Sequence, residues 1–169
     1  MTKASTSTEK VSKINDLQKM IENKHFDIAE VDKRRPWGAF FRLKNSEAER
    51  FIDMYFSDIK TQFKTFENLS PKYLLVEPGQ QLSWQYHLRR AEHWRVLRGT
   101  VGVKLSDSDT QPNETVKLNK GGLIQFSAEK RHRLIGLDEW VVVVEIWEHI
   151  SNKASDEADI VRVEDSYGR

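Results

Sequence analysis

From Tyr73 to Glu148 the chain is written in short runs of Val, Leu, Ile and Trp, broken at Pro78-Gly79, Gly99, Pro112-Asn113 and Gly121-Gly122. Apolar runs of this length between turn residues predict strands over Tyr73–Glu77, Leu82–His87, Glu92–Arg98, Thr100–Ser106, Thr115–Leu118, Leu123–Phe126, His132–Ile135 and Trp140–Glu148, hence a sandwich or small barrel. Asp107–Glu114 is predicted as a polar hairpin loop. The run from Trp140 to Trp147 is apolar on both faces, which predicts a central strand.

The N-terminal part has a different texture. Residues 1–11 are small, polar and charged, and predict a mobile tail. Ile14, Leu17, Met20 and Ile21 fall at helical spacing within Lys13–Lys24 and predict a short amphipathic helix for packing or dimer contact. Arg35-Pro36 starts an extended segment, because proline disfavours helix at the residue before it, and Ala39, Phe40 and Phe41 continue as a strand. Ser46-x-x-Glu49 fits a capping box and predicts a helix from Ser46 to about Tyr55, with a strand over the later aromatic residues as the alternative. The expected organisation is a tail and short helix over residues 1–26 and a single larger domain over residues 27–169.

Composition narrows the classes. A length of 169 residues gives one domain with a substantial core. A net charge of +1, with basic and acidic residues intermixed, argues against a nucleic-acid partner. The absence of cysteine removes disulfide frameworks, thiolate metal sites and thiol nucleophiles together. No signal-like or membrane-spanning apolar segment is present, so the expectation is a soluble, cytoplasmic protein with no membrane partner.

Candidate chemistry concentrates in Gly79-x5-Gln85-x-His87-x4-Glu92-x6-Gly99. Gln85 and His87 are two apart, so on a strand they leave the same face. Glu92 follows a short turn through Leu88, Arg89 and Arg90, from which an antiparallel return strand can bring its carboxylate beside them. His132 is the fourth candidate, from a later segment. Two imidazoles, one carboxylate and one amide oxygen suit a divalent ion, zinc foremost, with nickel, cobalt, manganese or iron also compatible. The competing interpretation is a metal-free, buried, hydrogen-bonded polar cluster.

This motif resembles the first cupin motif, with Gln85 in place of the usual first histidine. Together with Arg90-Ala91-Glu92-His93-Trp94, His132-Arg133-Leu134, Arg35-Pro36-Trp37-Gly38 and the ending Asp159-Ile160-Val161-Arg162-x-x-Asp165-x-Tyr167-Gly168-Arg169, it resembles the type II mannose-6-phosphate isomerase family over about residues 33–169. The resemblance implies an all-β cupin, a double-stranded β-helix or jelly-roll barrel with short N-terminal helices. It implies a metal-dependent aldose–ketose isomerase that interconverts mannose 6-phosphate and fructose 6-phosphate through an enediolate. It also implies a homodimer packed through its sheets. Members often carry a preceding nucleotidyltransferase domain; this chain has no glycine-rich nucleotide loop, so isomerisation without sugar activation is expected.

Three positions depart from the pattern. Arg89 stands where the family usually has a histidine, which bears on charge and substrate fit at the rim. Ser127 replaces a common turn proline, and Glu129 replaces a common glycine, so Glu129 must avoid or tolerate a positive φ.

Such an isomerisation needs a phosphate anchor and a base. Arginine presents a planar set of donors to phosphate. Among Arg35, Arg90, Arg98, Arg133, Arg162 and Arg169, the choice falls on Arg90 and Arg169, with Arg162 third, and with Arg35 and Trp37 at the pocket edge. Glu145 shares strand parity with Val141 and Val143, so an inward carboxylate with a raised pKa makes it the leading base, with Lys72 and Arg169 as further catalytic candidates. His93 points to the face opposite Glu92 and is expected to be a packing or hydrogen-bonded histidine, while His25 and His149 are expected to be ordinary surface or packing residues. Rival functions are an isomerase or epimerase of another sugar phosphate, such as a heptose phosphate, and a non-catalytic sugar-phosphate-binding cupin. A cupin dioxygenase is disfavoured by Gln85 and the surrounding arginines.

Overall fold

Two antiparallel sheets make up the body of the computed structural model, which describes the backbone of residues 2–169 and the side chains from Thr8 onward. In chain order the elements are α1 (Thr2–Asn23), β1 (Ile28–Asp32), β2 (Gly38–Leu43), a 3₁₀ turn at Asn45–Glu47, α2 (Ala48–Tyr55) and a 3₁₀ stretch at Ser57–Gln62. They continue with β3 (Leu69–Val76), β4 (Trp84–His87), β5 (Arg90–Arg98), β6 (Val101–Ser106), β7 (Val116–Leu118) and β8 (Leu123–Phe126). The chain finishes with β9 (Arg131–Gly136), β10 (Val141–His149), a short 3₁₀ turn at Glu157–Asp159 and β11 (Ile160–Glu164). One sheet has the order β1-β2-β3-β10-β5-β8 and the other β11-β4-β9-β6-β7.

β10 lies between β3 and β5, as its two apolar faces predict. Val141 and Val143 enter the core between the sheets with Phe40, Leu74, Trp94 and Leu134. Val142, Val144 and Ile146 pack on the opposite face against Ile14, Leu17 and Ile21 of α1 and Phe51 and Ile52 of α2. Each such fully buried aliphatic side chain stabilises the fold by about 1.5–3 kcal/mol relative to exposure. The parity puts Glu145 and Trp147 on the inner face with Val141 and Val143. Lys72, paired with Glu145 on β3, is buried beside them.

The structure departs from the sequence-based expectations in several places. The expected mobile tail is helical from Thr2, while Met1 lies outside the described residues. Once Ile14, Leu17 and Ile21 dock, the preceding residues extend an existing helix at little nucleation cost, and Lys10 Nζ donates to Arg35 O at 2.8 Å. The capping box at Ser46 does not form. The chain enters α2 through a 3₁₀ turn, Glu47 occupies the N-cap with no side-chain cap bond, and α2 starts at Ala48. The alternative strand over its aromatic residues is absent. β1 and β11 were not drawn from the sequence. Both are sheet-edge strands with largely exposed residues, so burial imposes no apolar alternation on them. Among the described residues no helix is long and apolar enough to cross a membrane.

Candidate metal centre and active site

The centre is built around a corner. β4 ends at His87, Leu88 and Arg89 carry the chain from one sheet to the other, and β5 begins at Arg90. The return strand expected to pair beside β4 instead lies in the facing sheet, between β10 and β8. Gln85 and His132 are direct partners across β4 and β9, so three candidate ligands come from one sheet and Glu92 comes from the other.

All four side chains are buried. His87 Nε2 lies 3.0 Å from Glu92 Oε1 and 3.3 Å from His132 Nε2, and His132 Nε2 lies 3.8 Å from Glu92 Oε2. Tetrahedral ligands about 2.0–2.2 Å from one ion are separated from each other by about 3.3–3.6 Å. The His87, Glu92 and His132 donors are therefore spaced compatibly with a divalent metal. His132 is also in the right tautomer. Its Nδ1–H donates to Lys130 O at 2.9 Å, which leaves the Nε2 lone pair facing the cluster. Burial, ahead of the charges around it, pushes the His132 pKa down to about 4, so it is neutral at pH 7, as a metal ligand must be. Burial would raise the pKa of Glu92, but Arg90, His87 and His132 outweigh it and hold the carboxyl well below its ordinary range.

Two neighbours qualify the fourth ligand and the fixed charge. Ser83 Oγ–H donates to Gln85 Oε1, which leaves Gln85 Nε2 3.4 Å from His87 Nε2. Coordination through the amide oxygen requires that amide to turn over. Arg90 points into the cluster. Its Nε donates to Glu92 Oε1 at 2.9 Å, its Nη1 to Ser155 Oγ at 3.2 Å, and its Nη2 lies 3.1 Å from His87 Nε2. Its guanidinium stacks 3.5 Å from the centre of the Trp147 ring.

Glu145 and Lys72 line a cavity of about 50 Å³ with Phe40, Trp37, Trp94 and Trp147, and Gln85, Arg90 and Glu92 of the cluster face into it. Burial and then the nearby Glu92 charge push the Glu145 pKa up to about 8. Trp147 Nε1–H donates to Glu145 Oε1 at 2.5 Å. Lys72 Nζ sits 4.1 Å from both the Phe40 and the Trp147 ring centres, and burial lowers its pKa.

The arginines separate by their partners. Arg35 is paired with Asp32 at 2.9 Å and with Glu157 at 3.7 Å. Arg169 forks onto Asp165 at 3.0 and 3.1 Å. Its tail is held back over the barrel by Tyr167, whose hydroxyl donates to Gln80 Oε1 at 2.7 Å and accepts from Gln81 N at 3.2 Å. Arg133 is buried, and its donors go to Leu82 O, Gln111 Oε1 and Glu164 O. Arg98, exposed at the end of β5, does not line the cavity. Arg162 does line it, yet its guanidinium has no hydrogen-bond or ion-pair partner among the described residues and its Nε is buried. His93 turns away from the cavity, as its parity predicts, and meets Glu148 and Gln125. His149 packs between Ser70 and the Ser155 amide, while His25 sits at a positive φ in the turn after α1.

The family described as Mannose-6-phosphate isomerase C-terminal matches residues 22–165. The chain belongs to this family. It is 32% identical over 135 residues to the Xanthan biosynthesis protein XanB of Xanthomonas campestris pv. campestris, covering 80% of this chain and 23% of the relative. It is 26% identical over 161 residues to a mannose-1-phosphate guanylyltransferase of Salmonella montevideo, covering 92% of this chain and 28% of that one. The chain thus spans about a quarter of the length of these relatives. Among solved structures, oxalate decarboxylase from Bacillus subtilis superposes with a TM-score of 0.54 at 16% identity, over 75% of this chain and 28% of that chain. Hazelnut vicilin superposes with a TM-score of 0.53 at 18% identity, over 78% and 33% of the two chains. The fold is a cupin.

Within this mannose-6-phosphate isomerase C-terminal domain, sequence reading missed Ser83, Ser155 and Asp159. Ser83 and Gln85 share a strand face, which was a usable signal. Arg90 shares parity with Glu92, and that alternation already pointed its side chain inward rather than toward the rim. Nothing local marks Ser155, and the C-terminal motif that begins at Asp159 gives that residue no role, because its partners Leu88 and Arg89 are about 70 residues away in sequence.

Proposed function

We propose that this chain is a metal-dependent sugar-phosphate isomerase that interconverts mannose 6-phosphate and fructose 6-phosphate. The observation that carries the proposal is the convergence of His87, Glu92 and His132 beside a cavity that Glu92 lines together with the buried Glu145 and the unpartnered guanidinium of Arg162. His87, Glu92 and His132 would hold the ion, with Gln85 joining through its amide oxygen. A bound divalent ion, zinc foremost, would supply a Lewis acid that stabilises the negative charge developing on the enediolate.

Glu145 takes the C2 proton of the open-chain aldose and returns it to C1 of the enediolate, while the C2 hydroxyl proton passes to O1, so that the C1 carbonyl becomes a hydroxyl and the C2 hydroxyl becomes the carbonyl. The raised pKa of Glu145 suits a base working near neutral pH. Lys72, fixed between two aromatic faces, offers its N–H donors to the reacting oxygens. The cavity, at about 50 Å³, admits the reacting end of the sugar and leaves the phosphate at the mouth. Arg162 meets the phosphate there, with Arg169 and Arg35 beside it and Trp37 forming the adjoining wall.

One observation favours a second reading. Arg90 already contributes a fixed positive charge between His87 and Glu92, which suits a sugar-phosphate-binding cupin that works without turnover. Purified protein supplied with zinc, assayed with mannose 6-phosphate and with a heptose phosphate, separates the readings. Turnover of mannose 6-phosphate that is lost in the Glu145→Gln variant supports the isomerase; binding without turnover supports the alternative.

A further inference from the structure

We propose that Asp159 is a positioning residue for the metal-ligand corner, holding His87 and Glu92 in register across the two sheets. This rests on the proposed metal site. Only Leu88 and Arg89 separate the strand that ends at His87 from the strand that carries Glu92. The backbone N–H groups of both donate to the Asp159 carboxylate, Leu88 to Oδ1 and Arg89 to Oδ2, each at 3.0 Å. The carboxylate therefore holds both amides of the corner. Ile160, the next residue, pairs with His87 in the β11–β4 ladder, so the same segment also fixes the strand end.

A relay extends this control to the charged face of the site. Ser155 Oγ–H donates to Asp159 Oδ2 at 2.6 Å and accepts from Arg90 Nη1 at 3.2 Å. Arg90 in turn meets Glu92 and His87. The Asp159 side chain is fully shielded from solvent, so no water can replace it for the two amides. The corner carbonyls are held independently. Glu129 N donates to His87 O at 2.7 Å and Ile150 N to Arg89 O at 3.0 Å. Weakening the carboxylate should therefore release the ligand geometry while leaving both strands in place.

The test titrates Co²⁺ into metal-free full-length protein and records its visible absorption spectrum, which reports coordination geometry. Asp159→Asn keeps one acceptor oxygen and turns the other position into a donor facing a backbone N–H. The expected result is Co²⁺ affinity weakened by roughly 10- to 100-fold, the usual loss for a residue that orients a ligand, with a changed absorption band. Ser155→Ala should shift both readouts the same way by a smaller factor, and it carries the test if Asp159→Asn does not fold. Ile52→Val, in the distant helix-side core, should lower the melting temperature and leave affinity and band unchanged. Wild-type affinity and an unaltered band in both site variants would overturn the inference. A wild-type protein that binds no Co²⁺ would instead overturn the metal site itself, and the inference with it.

Discussion

Glu145 on β10 is the register partner of Lys72 on β3, and the two buried side chains share the barrel interior without closing an ion pair. Burial dominates each of them and favours the uncharged form of both. A carboxyl kept near the operating pH beside an unneutralised amine is a costly arrangement for stability and a useful one for moving a proton.

Glu145→Gln keeps the shape and removes the base. The expected result is a fall in kcat for mannose 6-phosphate of roughly 100- to 10,000-fold, the usual contribution of a positioned acid–base group. KM should stay close to wild type. The melting temperature should hold or rise, because a buried ionisable group has been replaced by a neutral one. Steady-state kinetics beside a thermal melt checks both.

Arg162→Met tests the phosphate anchor. A charge-assisted hydrogen bond is worth about 1.5–3 kcal/mol, which corresponds to a rise in KM of roughly 10- to 100-fold. Stability should change by less than about 0.5 kcal/mol, because the guanidinium has no partner in the protein to lose. Inorganic phosphate should inhibit the wild type and lose that effect in the variant.

Much of this was legible in the sequence. Turn residues between apolar runs delimited the strands from β3 to β10 to within a few residues, and β8 matches its predicted bounds. Spacing placed Gln85 and His87 on one face of their strand, and parity turned Glu145 toward the interior. The edge strands β1 and β11 were not legible, because their largely exposed residues carry no burial pattern and no turn residues of the Gly or Pro-Asn kind bracket them. The ranking of arginines was not legible either. It depends on which guanidinium finds a carboxylate after folding, and Asp165 takes Arg169 while Asp32 and Glu157 take Arg35. The Asp159 corner joins segments about 70 residues apart, beyond the reach of any local pattern.

Glu129 has φ +68° while its amide donates to His87 O at 2.7 Å. The departure seen in the sequence is thus tolerated at a cost. Glycine adopts this conformation freely, so Glu129→Gly should stabilise the fold by about 1 kcal/mol or less after its own entropic penalty. A rise in melting temperature of up to roughly 2–4 °C, with unchanged metal affinity, is the expected outcome.

Asp159 also sets an acid limit. Burial would raise its pKa, but Ser155, the two corner amides and Arg89 outweigh that and hold the carboxyl below its ordinary value. A folded-state pKa below the unfolded one stabilises the protein above the unfolded value and loses that stability as pH falls through the folded one. The melting-temperature gap between wild type and Asp159→Asn should be full at pH 7 and narrow below about pH 4, the ordinary range for an aspartate. Melts over that pH range measure it.

The most direct measurement is metal content and mannose 6-phosphate turnover on the same sample, before chelation, after it, and after zinc is returned. The account predicts one zinc ion per chain, turnover abolished on removal and restored on return, and neither in His132→Ala. One bound ion with no turnover of mannose 6-phosphate, or turnover indifferent to chelation, would contradict it.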